Sequence, residues 1–332
     1  MLRVQLEQQE LAAALGIAAA AKASGEPIRS IGTLGEPQDN ALYFISRGLD
    51  DALSARFSTL TGCLFLARPG QGPSRLGDGS VTVEVANPRL TMARILRFVR
   101  DHGRLTKRLS ESSIPASARI SQWVHVDGNV ALGPEVVIEP FCFIGDDVTI
   151  GDRTVVHSGA RILARTEIGP DCIIGPNAVV GYEGFGLERD ENGYYQRLPH
   201  LGGVRIGAHV ELGSLSTVDA GTLSPTTVGD GAKLDAHVHV AHNARIEADC
   251  ILTAGAIIGG SVTLGSACWV GLNATVRDRV TVGGQCFVNM GAIVTHDLPN
   301  GAIVSHQEEK VARPAHPVPP EVILAARFRS ED

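Results

Sequence analysis

The chain has 332 residues and a formal net charge of −7, and it contains no block of basic residues. This charge argues against a nucleic-acid partner, and no apolar run approaches the ~20 residues that a membrane-spanning helix needs. The Ala-rich segment Leu11–Ala21 follows Glu7 and Glu10, where a signal peptide would carry basic residues. We therefore expect a cytoplasmic protein without a transmembrane segment, and the length favours two domains.

Residues 1–108 lack any repeat and predict a separate α/β domain. Asn87-Pro88 predicts the start of a helix that runs through Arg100, because Asn is a good N-cap and Pro is tolerated in the first turn. The other expected elements are a helix at Gln8–Ala21, strands at Ala41–Ser46, Cys63–Ala67 and Val81–Ala86, and a short helix at Asp50–Phe57.

An aliphatic residue recurs every six residues from Ile114 to Val294, apart from two breaks, and its 27 positions all hold Ile, Leu or Val. The next residue is Gly in 13 of these hexads, which we attribute to corners with unusual backbone angles. The residue four places after the aliphatic is nearly always small, as at Ala160 and Ala256. A period of six fits neither a helix nor simple hairpins. Residues 109–304 therefore predict a mainly β fold, a parallel β-helix of 18-residue coils with the aliphatic residues inside.

The six cysteines do not predict a disulfide framework in a chain of this length. Cys250, Cys268 and Cys286 lie 18 residues apart, a spacing that would also suit a metal ladder. However, they share the small inward column with Cys142 and Cys172, where Cys replaces Ala or Val as a small hydrophobe. We expect buried thiols rather than a metal site.

Residues 181–202 form the first break in the repeat. This segment is rich in Gly and contains four aromatic residues, which favours a loop that covers a substrate. After the repeat, residues 305–332 form a Pro-rich tail, in which Glu321–Arg329 predicts one short helix.

The segment Asp235–Asn243 contains three histidines, and one of them, His242, lies at a corner two residues after Val240. In most other hexads this position holds a turn residue that faces solvent, so we do not expect His242 in the core. Because an imidazole titrates near neutral pH, His242 is a candidate general base.

Gly260 occupies the same corner one coil later. Since successive coils pair at ~4.8 Å, its backbone N–H would lie beside His242 and could stabilise an oxyanion. The second break inserts four residues near Thr222–Pro225 and places Asp219 beside this corner, and Asp235 is also close in sequence. Either carboxylate could orient the imidazole. A base, an oxyanion donor and a carboxylate on one rigid wall favour acyl transfer to an amine or a hydroxyl.

The repeat resembles that of the left-handed β-helix acyltransferases, and the handedness is taken from this resemblance. Within that group the chain resembles the UDP-3-O-acylglucosamine N-acyltransferases of lipid A synthesis over nearly its whole length. The segments that carry the resemblance are Leu42–Ile45, Asn87–Ala93, Gly184–Gly186, Leu198–Gly202, Ser216–Asp219 and Asp235–Asn243.

The resemblance implies a residue-by-residue assignment of the site. It implies that His242 is the catalytic base, Asp235 its partner carboxylate and Gly260 the oxyanion glycine, and that Phe44 stacks on uracil in a uridine-binding front domain. Substrate-binding residues are expected at Phe44, Gly184, Phe185, Gly186, His200, Asp219, His239, Asn243 and Arg279. It also implies a homotrimer with active sites between subunits, an acyl carrier protein thioester as donor, and no metal or other cofactor.

The sequence departs from the family at several positions. Arg279 replaces a second functional histidine, His237 or His239 stands where the family has Gln, and the long C-terminal helices shrink to one short stretch. These departures leave open a related enzyme that acylates another nucleotide-linked amino sugar, with coenzyme A rather than a carrier protein as the donor.

Two other classes of function remain as alternatives. His237 and His242 on a hexapeptide helix also resemble the γ-class carbonic anhydrases, in which three histidines from neighbouring subunits hold zinc. A binding module without catalytic activity is the third class, and the combination of His242, Gly260 and a carboxylate argues against it.

Overall fold

The computed structural model describes residues 1–7, 10–11 and 27–305. The helices predicted at Gln8–Ala21 and Glu321–Arg329 therefore lie mostly or entirely outside the described residues. At the front of the chain is a five-stranded sheet, in which the first two strands are antiparallel and the others pair in parallel. Its strands, in both chain and sheet order, are β1 (Leu2–Leu6), β2 (Ile28–Ile31), β3 (Ala41–Ile45), β4 (Leu64–Ala67) and β5 (Val81–Glu84).

Two complete helices of the described part of the chain accompany the sheet, and both begin at a capping side chain. Helix α1 (Asp51–Phe57) follows Asp50, whose carboxylate accepts a hydrogen bond from the Leu53 N–H. Helix α2 (Pro88–Asp101) follows Asn87, whose side chain accepts from the N–H groups of Arg89 and Leu90. The apolar side chains of α2 are buried as predicted, so the sequence pattern of this helix is confirmed. Strands β1 and β2 were not predicted.

The repeat builds a three-sided parallel solenoid in which each side is one sheet. One side has the nine strands His125–Val126, Phe143–Ile144, Arg161–Ile162, Val179–Glu183, Thr217–Ala220, His239–Val240, Ile257–Ile258, Thr275–Val276 and Ile293–Val294. The second has the eight strands Val130–Leu132, Val148–Ile150, Thr166–Ile168, Val204–Ile206, Thr226–Val228, Arg245–Ile246, Thr263–Leu264 and Thr281–Val282. The third has the ten strands Arg119–Ile120, Val137–Ile138, Val155–Val156, Ile173–Ile174, Glu211–Leu212, Lys233–Leu234, Ile251–Leu252, Trp269–Val270, Phe287–Val288 and Ile303–Val304.

The aliphatic column forms the core of the solenoid, as predicted. Ile114 and Ile120 are exceptions and remain 46% and 38% exposed. They belong to the first coil, which has no coil on its other side. The cysteines are buried thiols, and those of Cys250 and Cys268 donate to backbone carbonyls of the next coil at 3.1 Å. Cys therefore acts here as a small core residue.

Apart from Gly181, whose φ is 89°, the glycines that follow the aliphatic residues have a different cause from the predicted one. At Gly133 and Gly145 a Cβ atom would lie 2.5 and 2.7 Å from backbone nitrogens of the next coil, and neither glycine has a positive φ. The positive φ falls two residues later, on residues such as Glu135 and Asp147. Close approach between coils, rather than unusual backbone angles, therefore selects Gly at these corners.

The segment that leads from α2 into the solenoid is held by one buried carboxylate. Asp147 accepts hydrogen bonds at 2.9 Å from the backbone N–H groups of Arg108 and Leu109. The front sheet has its own hydrophobic clusters, separate from the solenoid core. A division into domains at residues 1–108 and 109–304, followed by a tail, stays a prediction. Among the residues described, no helix is long and apolar enough to cross a membrane.

Candidate active site

A cavity of about 1280 Å³ lies between the front sheet and one corner of the solenoid. Phe44 on β3 lines it from the front sheet, and His242 and Gly260 line it from the solenoid. The predicted site residues in its wall are Phe44, Phe185, Gly186, His200, His242, Asn243, Gly260 and Arg279. Residues more than 200 positions apart in the chain therefore share one cavity.

The imidazole of His242 is held between two glycines. A Cβ on Gly260 would lie 2.9 Å from Cε1 and 3.0 Å from Nε2 of the ring, and a Cβ on Gly184 would lie 2.7 Å from the His242 Cβ. Gly260 is in the adjacent coil because Val240 pairs with Ile258. Its N–H makes no hydrogen bond with any described residue, while its carbonyl accepts from Arg279 N–H at 2.9 Å. The predicted adjacency of His242 and Gly260 is confirmed.

Asn243 fixes the other edge of the His242 ring. Its Oδ1 accepts from Thr222 N–H at 2.7 Å, which directs its Nδ2 towards Thr222 Oγ1 and His242 Nδ1, at 3.0 and 2.9 Å. Thr222 belongs to the four-residue insertion, whose register is as predicted because Val218 pairs with Val240. Since Nδ1 accepts a hydrogen bond, the proton of the neutral imidazole lies on Nε2. The sequence gave no signal for this contact.

The surroundings of His242 favour its neutral form. Burial lowers its pKa below the ordinary histidine value, and the positive charges of Arg89 and Arg279 lower the pKa further. A neutral imidazole at physiological pH can accept a proton.

A second imidazole, that of His200, lies beside the first. The ring centroids are 4.7 Å apart and the planes are tilted by 46°. His200 is only 4% exposed, and burial together with the neighbouring His242 lowers its pKa to about 4. Neither of its ring nitrogens has a hydrogen-bond partner within the described part of the chain.

Asp219 and His239 form a separate pair outside the cavity wall. His239 Nε2 lies 3.9 Å from Asp219 Oδ2, and its Nδ1 is 2.6 Å from Thr217 Oγ1. Burial raises the pKa of the Asp219 carboxyl, and the charge of His239 opposes this shift. The structure therefore joins Asp219 to His239 and not to His242.

Asp235 is not close to His242. It lies at the preceding corner of the same coil, where its carboxylate accepts from the N–H groups of Ala236 and Ala254 at 2.7 and 3.2 Å. The expectation that Asp235 orients His242 is therefore not met within one chain. His237 is at that preceding corner too, and residues 1–7, 10–11 and 27–305 contain no group of three His, Cys, Asp or Glu side chains that could hold a metal ion.

The segment predicted to cover a substrate is an antiparallel hairpin with strands Leu187–Arg189 and Tyr195–Arg197. It lines the cavity and is tied to helix α2 through polar contacts. These contacts are Arg89 with Glu188, Arg94 with Glu191 at 2.6 Å, Arg97 with Gln196 at 3.0 Å, and Arg100 with Glu183 at 3.3 Å. Phe185, at its start, is 80% exposed.

Several cavity residues were not predicted from the sequence. On the front side they are the turn 32–36, Ser46, Arg89 and Met92, and on the solenoid side they are Thr222–Pro225, Arg245, Ser261 and Asp278. The insertion near Thr222–Pro225 left a signal as a break in the repeat, and Arg89 and Met92 lie in the segment Asn87–Ala93 that carries the family resemblance. The others lie in turns, beside strand β3 or, for Arg245, on a solenoid strand, where the sequence pattern gave no further signal.

The burial of His200 predicts a pH-dependent difference in stability between the wild-type protein and His200→Gln. The depressed pKa means that the folded state binds no proton here between pH 6.5 and about 4, whereas the unfolded state does. The unfolding free energy of the wild type should therefore fall relative to that of the variant by up to about 3 kcal/mol as the pH drops through this window. Chemical denaturation at fixed protein concentration measures it. Exposed His209→Gln serves as the control, and a pH-independent difference for His200→Gln would contradict the prediction.

Comparison with known proteins identifies the repeat. The six-repeat bacterial transferase hexapeptide family matches residues 147–182 and 225–260, and the hexapeptide repeat of succinyl-transferase matches 261–296. LpxA from Acinetobacter baumannii, a solved structure, aligns with a TM-score of 0.51 and 22% identity over 55% of this chain and 69% of that one. The predicted fold class is confirmed, a left-handed parallel β-helix behind an α/β front segment.

Relatives of known name match a large part of this chain. UDP-3-O-acylglucosamine N-acyltransferase from Polynucleobacter asymbioticus is 33% identical over 52% of this chain and 52% of its own length. The protein of the same name from Coxiella burnetii is 30% identical over 76% of this chain and 74% of its own length. The chain therefore belongs to the UDP-3-O-acylglucosamine N-acyltransferase family.

Proposed function

We propose that the chain transfers an acyl group from a thioester to the amine of UDP-3-O-acylglucosamine, a step of lipid A synthesis. The observation that supports this most directly is the single cavity that joins Phe44 and the turn 32–36 to His242 and Gly260. A UDP-linked amino sugar has an aromatic base at one end and the reactive amine at the other. The half-buried Phe44 ring suits the base, and the polar corner of the solenoid suits the amine.

His242 would act as the general base. As the amine attacks the thioester carbonyl, the C–N bond forms, the proton of the amine passes to His242, and the C–S bond then breaks to release the thiolate, which the imidazolium reprotonates. The lowered pKa of His242 favours the neutral form that this step needs at its start. The N–H of Gly260, which donates to no described residue, would stabilise the oxyanion of the tetrahedral intermediate.

Asn243 determines which nitrogen of His242 is available. In the present arrangement Nε2 carries the proton, whereas a base acting through Nε2 needs the proton on Nδ1. Asn243 would therefore release Nδ1 when substrate binds, so that the ring changes tautomer. This makes Asn243 a positioning residue for proton transfer rather than a simple substrate contact.

The remaining expectations from the sequence are kept as proposals. They are a cytoplasmic location, no metal or other cofactor, and a phosphopantetheine thioester on either an acyl carrier protein or coenzyme A as the donor. Arg279, 66% exposed in the wall of the cavity near His242, is a candidate contact for a phosphate of one substrate. Asp219 and His239 remain candidate substrate contacts. They lie on the neighbouring strands Thr217–Ala220 and His239–Val240, which lead into the corner of His242.

A homotrimer is supported by one corner of the solenoid. The apolar corner follows the strands of the third sheet, and in five coils it carries a large side chain that is 45% exposed or more: Trp123, Phe141, Leu215, Leu272 and Met290. The coils between them carry Gly159, Asn177, His237 and Gly255 at this corner. Exposed apolar surface along one corner of the solenoid favours packing against parallel copies of the same solenoid. Asp235 and His237 also lie at this corner of the solenoid, so a neighbouring copy that packs there would contact them as well.

The proposed reaction predicts fast turnover of UDP-3-O-acylglucosamine with a thioester donor. Carrier-protein and coenzyme A thioesters of the same acyl chain should be compared side by side by following the N-acylated product. His242→Ala should lower the rate by about 100-fold or more, because it removes the base. Turnover with coenzyme A alone would favour the related enzyme for another amino sugar, and wild-type rates from His242→Ala would exclude this mechanism.

Gly260→Ala should impair catalysis although its N–H remains. The new Cβ would push against the His242 ring, and a displacement of about 1 Å can cost about 100-fold in rate. Gly48→Ala is the matched control, because a Cβ there meets no atom within 4 Å. Equal rates for the two variants would show that the ring tolerates the shift.

The apolar corner predicts the oligomeric state. Leu272→Asp combined with Met290→Asp should convert a trimer to monomers, because two charges per chain would be buried at the contact. Light scattering measures the mass. Leu76→Asp, a similarly exposed leucine on the front segment, should leave the trimer intact. A monomeric wild-type protein would refute the proposal.

A further inference from the structure

His200 is unusual among the cavity residues because both of its ring nitrogens are buried without a partner in the described part of the chain. The side chain is 4% exposed, and both Nδ1 and Nε2 lack a hydrogen bond of normal geometry to any described residue. The nearby Leu198 carbonyl only partly offsets the effect of burial on the ring. Buried polar atoms in folded proteins nearly always have partners, and those without one are expected to find it in a bound molecule or water.

The position of the ring is fixed from two sides. A Cβ on Gly186 would lie 2.9 Å from His200 Cε1, and the His242 ring is 4.7 Å away between centroids. His200 also lines the cavity that contains His242 and Gly260. A partner for its nitrogens must therefore come from within the cavity, next to the proposed reaction centre.

The charges around the two rings decide what kind of partner fits. His200 faces His242 and Arg197, and His242 in turn faces Arg89, Arg279, His239 and Asp278. Cations outnumber anions in this set, so protonation of His200 is unfavourable, in agreement with its pKa of about 4. A neutral imidazole has one N–H donor and one acceptor nitrogen. It therefore suits a hydroxyl group, which both donates and accepts a hydrogen bond. A phosphate would leave the acceptor nitrogen without a donor, and the nearby arginines are better placed to bind it.

We propose that His200 binds a hydroxyl group of the substrate that reacts at His242, and so selects hydroxylated substrates and positions them beside the base. This inference rests on the proposed function and specifies the chemistry of one part of the site. The hydroxyl could belong to the sugar ring of the acceptor or to the 3-hydroxyacyl chain of the donor. Both present the same chemistry to the imidazole.

The test compares His200→Leu and His200→Gln on matched substrates. Leu has no polar side-chain atoms, whereas Gln keeps an uncharged donor and acceptor. The wild type should prefer the hydroxylated form of the relevant substrate, and His200→Leu should lose about 10- to 100-fold in kcat/KM with that form but little with the form that lacks the hydroxyl. His200→Gln should restore part of the loss. His209→Leu, at an exposed corner away from the cavity, is the control.

Two substrate series distinguish the sources of the hydroxyl. Acceptors that lack one sugar hydroxyl test the sugar, and 3-hydroxyacyl and plain acyl donors of equal length test the acyl chain. If His200→Leu loses the same factor with every substrate, the residue is only structural or is bonded to water, and the proposal is wrong.

Binding measurements separate this inference from the proposed function. Calorimetry with UDP-glucosamine and its deoxy analogues needs no turnover, and it can be repeated in the presence of 3-hydroxyacyl or plain acyl pantetheine. A hydroxyl preference that His200→Leu abolishes would support the inference even if no acyl transfer were detected. Efficient acyl transfer without any such preference would overturn the inference and leave the proposed function standing.

Discussion

Parallel hydrogen bonding between successive coils is the constraint on which the site depends. It places each residue of one coil beside the equivalent residue of the next, as the pairing of Val240 with Ile258 does for the coil of His242. The spacing between coils is ~4.8 Å, so a corner residue meets its neighbour at van der Waals distance. The His242 ring can therefore lie against Gly260, provided that Gly260 has no side chain.

The regular repeat provides the backbone of the site, and the two insertions provide the contacts that orient its side chains. The hairpin segment brings Gly184 against His242 and Gly186 against His200. The four-residue insertion brings Thr222 to Asn243, and Asn243 to His242. A solenoid without insertions would present a histidine at a corner with nothing to fix its ring. The same hairpin is paired with helix α2, so the front segment and the base are held in one arrangement.

The fold could be predicted from the sequence because the inward column is strict, and a strict period leaves few alternatives. The register across the second insertion followed from the same counting, which placed Val218 beside Val240. The pairing of Asp235 with His242 could not be judged in this way. They are seven positions apart in the sequence, and a step of six positions takes the chain to the next corner, so the two residues lie at different corners. The hairpin and the Asn243 contacts were not foreseen, because an insertion has no period from which its path can be inferred.

Burial and the nearby positive charges disfavour protonation of both His200 and His242 at the same time. Two imidazoles with centroids 4.7 Å apart, next to Arg89 and Arg279, cannot both be protonated without strong repulsion, and burial disfavours the charge on either. Of the two, His200 is the more buried and stays neutral to about pH 4, so in the proposed reaction the substrate proton would go to His242. Because Asn243 Nδ2 already occupies the Nδ1 edge of His242, the proposed reaction would require the nitrogen that faces Gly260 to exchange its proton. In that reaction Asn243, which is hydrogen-bonded to Thr222, would control this exchange, and the four-residue insertion would thereby contribute to proton transfer.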